Sequence, residues 1–163
     1  MFDKFGEFNS AEELNKAAEG LKEEGDTKSL LELAKENGID KEDAQDYIDG
    51  CVDELCNERM AAFGKLKIES QELQMKGIME DWLSYIKNQI AENEAVAAAV
   101  RKKGKSLEGC IAALLNWSFK NQIPVPQKVM KAAGISSSKC TMGIPGMGQA
   151  KKIIKEYYLG KQV

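Results

Sequence analysis

Apolar residues recur at three- and four-residue intervals over most of this chain, and capping or turn residues cut the runs into helix-sized blocks. Ser10 followed by Glu13 has the form of a capping box, and Leu14, Ala17, Ala18 and Leu21 then mark one helical face. Gly25-Asp26 ends that helix and opens a second over Thr27–Glu36, with Leu30, Leu31, Leu33 and Ala34 apolar. Asn37-Gly38 reads as a C-terminal stop, and Asp40 as the N-cap of a third helix running through Tyr47 and Ile48 to about Cys56. Ile78, Trp82, Tyr85, Ile86 and Gln89 predict a helix over 78–90, continuing or restarting over 94–102. Ser106 caps the most apolar segment, Leu107–Asn121, whose Ile111, Leu114, Leu115, Trp117 and Phe119 predict the centre of the core, with Trp117 buried. Pro124 and Pro126 bound a short helix over Gln127–Ala133, a loop rich in Gly, Ser and Pro covers 134–148, and a last helix runs over Gln149–Leu159. Only residues 64–74 alternate apolar and polar positions, as a short strand or an extended linker would.

The fold expected from this pattern is mainly α, a multi-helix bundle that can divide into two small helical lobes. An acidic lobe takes residues 1–60, a linker or short strand 61–76, and a basic lobe with a Gly-rich turn 77–163. The labels acidic and basic come from sorted charge. Residues 1–60 hold 18 Asp/Glu against 7 Lys/Arg, whereas residues 99–163 hold 2 against 12, so the overall net charge of −3 hides a dipolar molecule. A basic third suits a phosphate-bearing partner, and an acidic third repels nucleic acid and suits basic protein grooves. The alternative is that the two ends neutralise each other within one fold.

Composition narrows the chemistry. A hydrophobic content of 43% with 30% charged residues is that of a folded domain. The opening Met1-Phe2-Asp3-Lys4-Phe5 lacks the form of a signal peptide, and the longest apolar stretches, 95–100 and 110–115, are too short to span a bilayer, so a cytoplasmic protein without a membrane partner is expected. There is no histidine, which removes Ser–His and Cys–His nucleophile systems and the mixed Cys/His zinc sites. Cys51, Cys56, Cys110 and Cys140 form no C-x-x-C pair and are expected as reduced, mostly buried thiols. No catalytic residue, metal ligand or cofactor site is expected, and the chain is read as a non-enzyme.

Two constellations remain for binding. In Ile144-Pro145-Gly146-Met147-Gly148-Gln149-Ala150-Lys151-Lys152, a Gly-x-Gly turn opens a helix whose exposed N–H groups and dipole suit an anion, with Lys151, Lys152 and Lys155 in its first turns. The segment resembles the hairpin of helix-hairpin-helix DNA-binding motifs, with Lys152 where that family usually has a small residue. It is equally the form of a tight turn between two helices. Arg101-Lys102-Lys103-Gly104-Lys105 places four cations in five residues, more than a helix C-terminus needs. The candidate nucleic-acid or anion-binding set is therefore Arg101, Lys102, Lys103, Lys105, Gly146, Gly148, Lys151, Lys152 and Lys155. Tyr157 and Tyr158 lie nearby, and at most one can face away from the core. Residues 34–48 have helix-turn-helix spacing, but the second helix carries Glu42, Asp43, Asp46 and Asp49 where base readout uses other side chains.

Several blocks resemble a recurrent family of small proteins from phages, plasmids and conjugative elements of Gram-positive bacteria. They are Phe5-Gly-Glu-Phe-Asn-Ser-Ala-Glu-Glu-Leu, Gly77-Ile-Met-Glu-Asp-Trp, Val100-Arg-Lys-Lys-Gly-Lys-Ser-Leu-Glu-Gly-Cys-Ile and Gly143-Ile-Pro-Gly-Met-Gly-Gln-Ala-Lys-Lys-Ile-Ile-Lys-Glu-Tyr-Tyr. Some members of that group are similar to anti-CRISPR proteins directed at type II effector nucleases, and Val100–Leu115 is also similar to the core of PcfK-like conjugation-associated proteins. The resemblance implies a mobile-element interaction protein, an inhibitor of a type II CRISPR effector nuclease, and the basic C-terminal third adds an expected contact with double-stranded DNA. Its alternative is a DNA-binding accessory protein for conjugation or replication. It carries no site residue with it.

Overall fold

The structure, a computed structural model, describes residues 2–160, and among them the chain is mainly helical. It divides into two compact units, one ending at Gly109 and one beginning at Cys110. The first contains α1 (Ala11–Glu23), α2 (Thr27–Glu36), α3 (Lys41–Ile48), α4 (Glu58–Leu73), α5 (Ile78–Glu92) and α6 (Glu94–Arg101). The second takes up α7 (Leu107–Lys120) from its fourth residue, then β1 (Ile123–Pro124), α8 (Gln127–Ala132), β2 (Thr141–Met142) and α9 (Met147–Leu159).

Local signals set the helix starts. The Ser10 hydroxyl accepts the Glu13 N–H at 3.2 Å while the Glu13 carboxylate accepts the Asn9 N–H at 2.7 Å, a reciprocal cap displaced by one residue. Asp26 and Asn57 cap α2 and α4 by accepting the N–H groups of Ser29 and Met60. Asp40 stands at the N-cap of α3 without a capping bond, its carboxylate engaged by Lys67 at 2.7 Å. α3 ends at Ile48, ahead of the expected Cys56, because Gly50 takes a left-handed turn at φ 76°.

The segment 61–76 is neither linker nor strand. Residues 58–73 form α4, a central element of the first unit, which packs along α6 and against α5. Its inward positions are Ala61, Ala62, Gly64, Lys65, Leu66 and Glu69. Two of those six are charged and one is glycine, so the buried face has no apolar periodicity to read. α1, α2 and α3 close around Leu14, Ala18, Leu30, Leu33, Ile39, Ala44 and Tyr47, with Ala61 of α4 in the same cluster. The turn between α2 and α3 crosses α4 backbone to backbone. A Cβ on Gly64 would lie 2.2 Å from the Asn37 oxygen, and one on Gly38 2.2 Å from the Gly64 oxygen.

In the second unit β1 and β2 pair antiparallel, Ile123 opposite Met142 and Pro124 opposite Thr141. Gly143 lies against the Ser118 carbonyl and the Gln122 side chain, with no room for a Cβ. α7 is not the centre of the core. Leu115 and Phe119 are 54% and 73% exposed, Trp117 is half-buried, and only the stripe Leu107, Cys110 and Leu114 is fully enclosed. A helix that is apolar all round can still turn only one stripe inward here. The deeply buried tryptophan is Trp82 on α5, 4% exposed.

Candidate nucleic-acid interface

The nine candidate residues fall into two groups, four in the first unit and five in the second. In the first, the backbone of the basic loop 102–106 is held from beneath. Lys65, wholly buried, donates to the Glu7 carboxylate at 2.6 Å and to the carbonyl oxygens of Lys102 and Lys105 at 3.0 and 2.7 Å. These three bonds use every proton of the ammonium. The other Glu7 oxygen accepts the Gly104 N–H and Asn9 accepts the Lys103 N–H, both at 3.3 Å. Glu69 accepts the Leu107 N–H at 2.8 Å, and Ser106 accepts that of Gly109 at 3.0 Å, so two side chains serve the first turn of α7. The result is a loop of fixed backbone whose Lys102 and Lys103 side chains are exposed, with Lys105 half-buried.

Arg101 does not belong to that surface. It completes the inward stripe of α6, after Val96, Ala97 and Val100, and is fully buried. Its Nη2 donates to the Asn37 side-chain oxygen at 2.8 Å, its guanidinium lies 5.7 Å from the Phe2 ring centroid, and burial pulls its pKa down. Asn37 in turn donates to the Leu33 carbonyl at 2.9 Å, which ties the end of α2 to α6. Glu7, Asn37, Lys65 and Glu69 were invisible to sequence reasoning because their partners lie 37 to 97 positions away. The one available signal was a charge pair four apart, Lys65 and Glu69, within a segment of strand-like alternation.

Burial raises the pKa of Glu69 above its ordinary 4.5, the Leu107 N–H and Lys65 only partly opposing the shift. A carboxyl that holds its proton more tightly when folded contributes stability that is full below 4.5 and lost as pH rises through the raised value. Glu69→Gln keeps the acceptor for Leu107 and mimics the protonated form. The stability of this variant relative to wild type is therefore expected to rise with pH from 4 upward, measured by urea unfolding across pH. A relative stability that falls with pH would mean that Lys65 and Arg101 keep the carboxylate ionised.

In the second unit α9 starts at Met147 with Gly146 as N-cap, two residues ahead of the expected Gln149. Ala150, Ile154 and Tyr158 form its buried stripe. At 100° per residue, Lys151, Lys155 and Lys152 fall about 100°, 140° and 200° around the helix from Ala150, and all three are exposed. Gly146 and Gly148 do not have positive φ, and a Cβ on either would meet nothing within 4 Å. Neither glycine is therefore required by the backbone or by packing in the fold. Tyr158 is buried and Tyr157 half-buried, their rings edge-to-face at 5.0 Å. Lys120, Lys128, Lys131 and Lys139 are exposed in the same unit, in which Glu156 is the single acidic residue from 110 to 163. These four extend the basic character beyond the candidate set, and the charge count alone would have found them.

Among the described residues no group of Cys, Asp or Glu is arranged to hold a metal ion, and no helix is long and apolar enough to cross a membrane. Cys56 and Cys110 are buried, each thiol pushed up to about 12 by desolvation, while Cys51 is exposed and Cys140 partly so. Comparison of the chain with protein-family models, with curated proteins and with solved structures finds no match.

Proposed function

We propose that this chain is a non-enzymatic binding protein of a mobile element, acting in the cytoplasm, whose second unit engages nucleic-acid phosphates and whose target is a type II CRISPR effector nuclease. The nuclease comes from the family resemblance, and the phosphate contact from the residues of α9. The observation that carries the phosphate contact is Gly148, inside the first turn of α9. Inside the first turn of a helix glycine is less favourable than alanine by about 0.5–1 kcal/mol, and the fold gives Gly148 no steric or conformational reason for it, whereas Gly146 stands at the N-cap, where glycine is already preferred over alanine. A ligand approaching the N–H groups at the positive end of α9 supplies a reason for Gly148, since a methyl group there would stand between amide and anion. Lys151, Lys152 and Lys155 then add charge without base specificity.

The second reading, a DNA-binding accessory protein for conjugation or replication, rests on the sequence resemblance of the same turn to a helix-hairpin-helix hairpin, although β2 rather than a helix leads into it. The two part on the nuclease. An inhibitor forms a stoichiometric complex with a purified type II effector and blocks cleavage, whereas an accessory factor binds duplex DNA and leaves cleavage unchanged.

Both predict weak duplex binding with little sequence preference and, for about 4–5 phosphates, a log–log salt slope of roughly −4. Lys151→Glu/Lys152→Glu/Lys155→Glu is expected to flatten the slope and weaken binding while leaving the melting temperature nearly unchanged. Gly148→Ala should keep or raise the melting temperature and lower DNA affinity several-fold. Fluorescence anisotropy with a labelled duplex measures both. Absence of DNA binding at low salt removes the phosphate contact, and the nuclease assay then stands alone.

A further inference from the structure

A groove of about 550 Å³ runs between α2, the start of α3 and α4 in the first unit. Its floor is apolar, formed by Leu31, Ile39 and Ile68, and its rim carries Lys28, Lys35 and Lys41. Residues 1–60 are strongly acidic, so a cationic rim is a local reversal of charge. The two acidic residues on the same rim are already engaged, Glu32 by Lys4 and Asp40 by Lys67. Lys28, Lys35 and Lys41 are exposed and have no ion-pair partner among the described residues.

The spacing of these cations identifies what they fit. Lys28 and Lys35 are seven residues apart on α2, on nearly the same face, with an axial separation of about 10.5 Å and Leu31 between them. One carboxylate on a small molecule satisfies one of them. A helix carrying carboxylates two turns apart, with apolar side chains between, meets both and lays its apolar face on Leu31 and Ile68, as helix-in-groove recognition does. The volume is in the range of pre-formed ligand sites and admits a few large side chains. We infer that this groove is the docking site for an acidic amphipathic helix of a partner protein. The site lies in the first unit and is independent of the phosphate contact on α9.

The test uses the full chain and a fluorescein-labelled amphipathic peptide of about four helical turns, built from Leu and Glu with the carboxylates two turns apart. The peptide is expected to bind saturably at one equivalent and to shift the methyl resonances of Leu31, Ile39 and Ile68. Lys28→Glu/Lys35→Glu/Lys41→Glu, in exposed positions, should lower the affinity by at least roughly tenfold with an unchanged melting temperature. A scrambled peptide of the same composition should bind at least roughly tenfold more weakly. No binding of the ordered peptide, equal binding by the triple variant, or equal binding of the scrambled peptide would each overturn the proposal. Saturation of the groove by dodecanoate without binding of the peptide would replace the helix with a small amphiphile. A concentration-dependent dimer that shifts the same methyl groups would replace it with a second copy of the chain.

Discussion

Lys65→Ala is expected to destabilise the first unit by about 3–5 kcal/mol, the usual effect of removing one partner from a buried ion pair. The substitution takes away an ammonium that satisfies the Glu7 carboxylate and the carbonyl oxygens of Lys102 and Lys105 at once. Lys65→Met separates charge from volume, since methionine fills most of the same space and donates nothing. It should lose most of the same stability in urea unfolding, and the amides of Lys103 and Gly104 should exchange faster as the loop they belong to loosens. A Lys65→Met variant within 1 kcal/mol of wild type would mean that packing of the stem, not the three hydrogen bonds, is what the position requires.

Gly64→Ala should also be strongly destabilising, against the usual direction for a helix interior. Alanine normally improves on glycine there by about 0.8–1 kcal/mol. At Gly64 the new methyl group would lie 2.2 Å from the Asn37 oxygen, which is backbone and cannot rotate away. α4 must move off the α2–α3 turn, and a net loss of about 1–3 kcal/mol is expected. Gly20→Ala is the matched comparison. Gly20 lies in α1, without positive φ and with nothing within 4 Å of a Cβ, so the same substitution there should stabilise by about 0.5–1 kcal/mol. Thermal unfolding of the two variants should move in opposite directions. Equal shifts would mean that the close crossing is not maintained in solution.

The helices that the sequence discloses are those whose signals are local. Ser10, Asp26 and Asn93 cap within three residues of themselves, and the stripes of α1, α2 and α5 are written in leucine, isoleucine, alanine and one tryptophan. α4 escapes because its inward face includes Lys65, Glu69 and Gly64, whose places are justified only by Glu7, Leu107 and the α2–α3 turn. The same cause misplaces Arg101. Its neighbours Lys102 and Lys103 point out, and nothing within a few residues says that Arg101 continues the stripe of Val96, Ala97 and Val100 toward Asn37. Trp117 is the converse case, a large apolar residue in an apolar run on a helix that encloses only one stripe. In the candidate interface, the lysines of α9 and their helix N-terminus were legible because charge and glycine pattern lie in one short segment. The support beneath the loop 102–106 was not, because every one of its partners is distant in the chain.

The buried ammonium of Lys65 also sets an order for synthesis. A ribosome building this chain at roughly 5–20 residues per second has made α1, α2, α3 and α4 seconds before the carbonyl oxygens of Lys102 and Lys105 exist. Until then Lys65 and Glu69 have nothing to hold but Glu7 and each other, and Asn37 has no guanidinium to accept from. A chain truncated at residue 98 and freed from the ribosome should therefore stay open and protease-sensitive, and one extended to residue 109, with the loop and the Leu107 amide in place, should close as a unit.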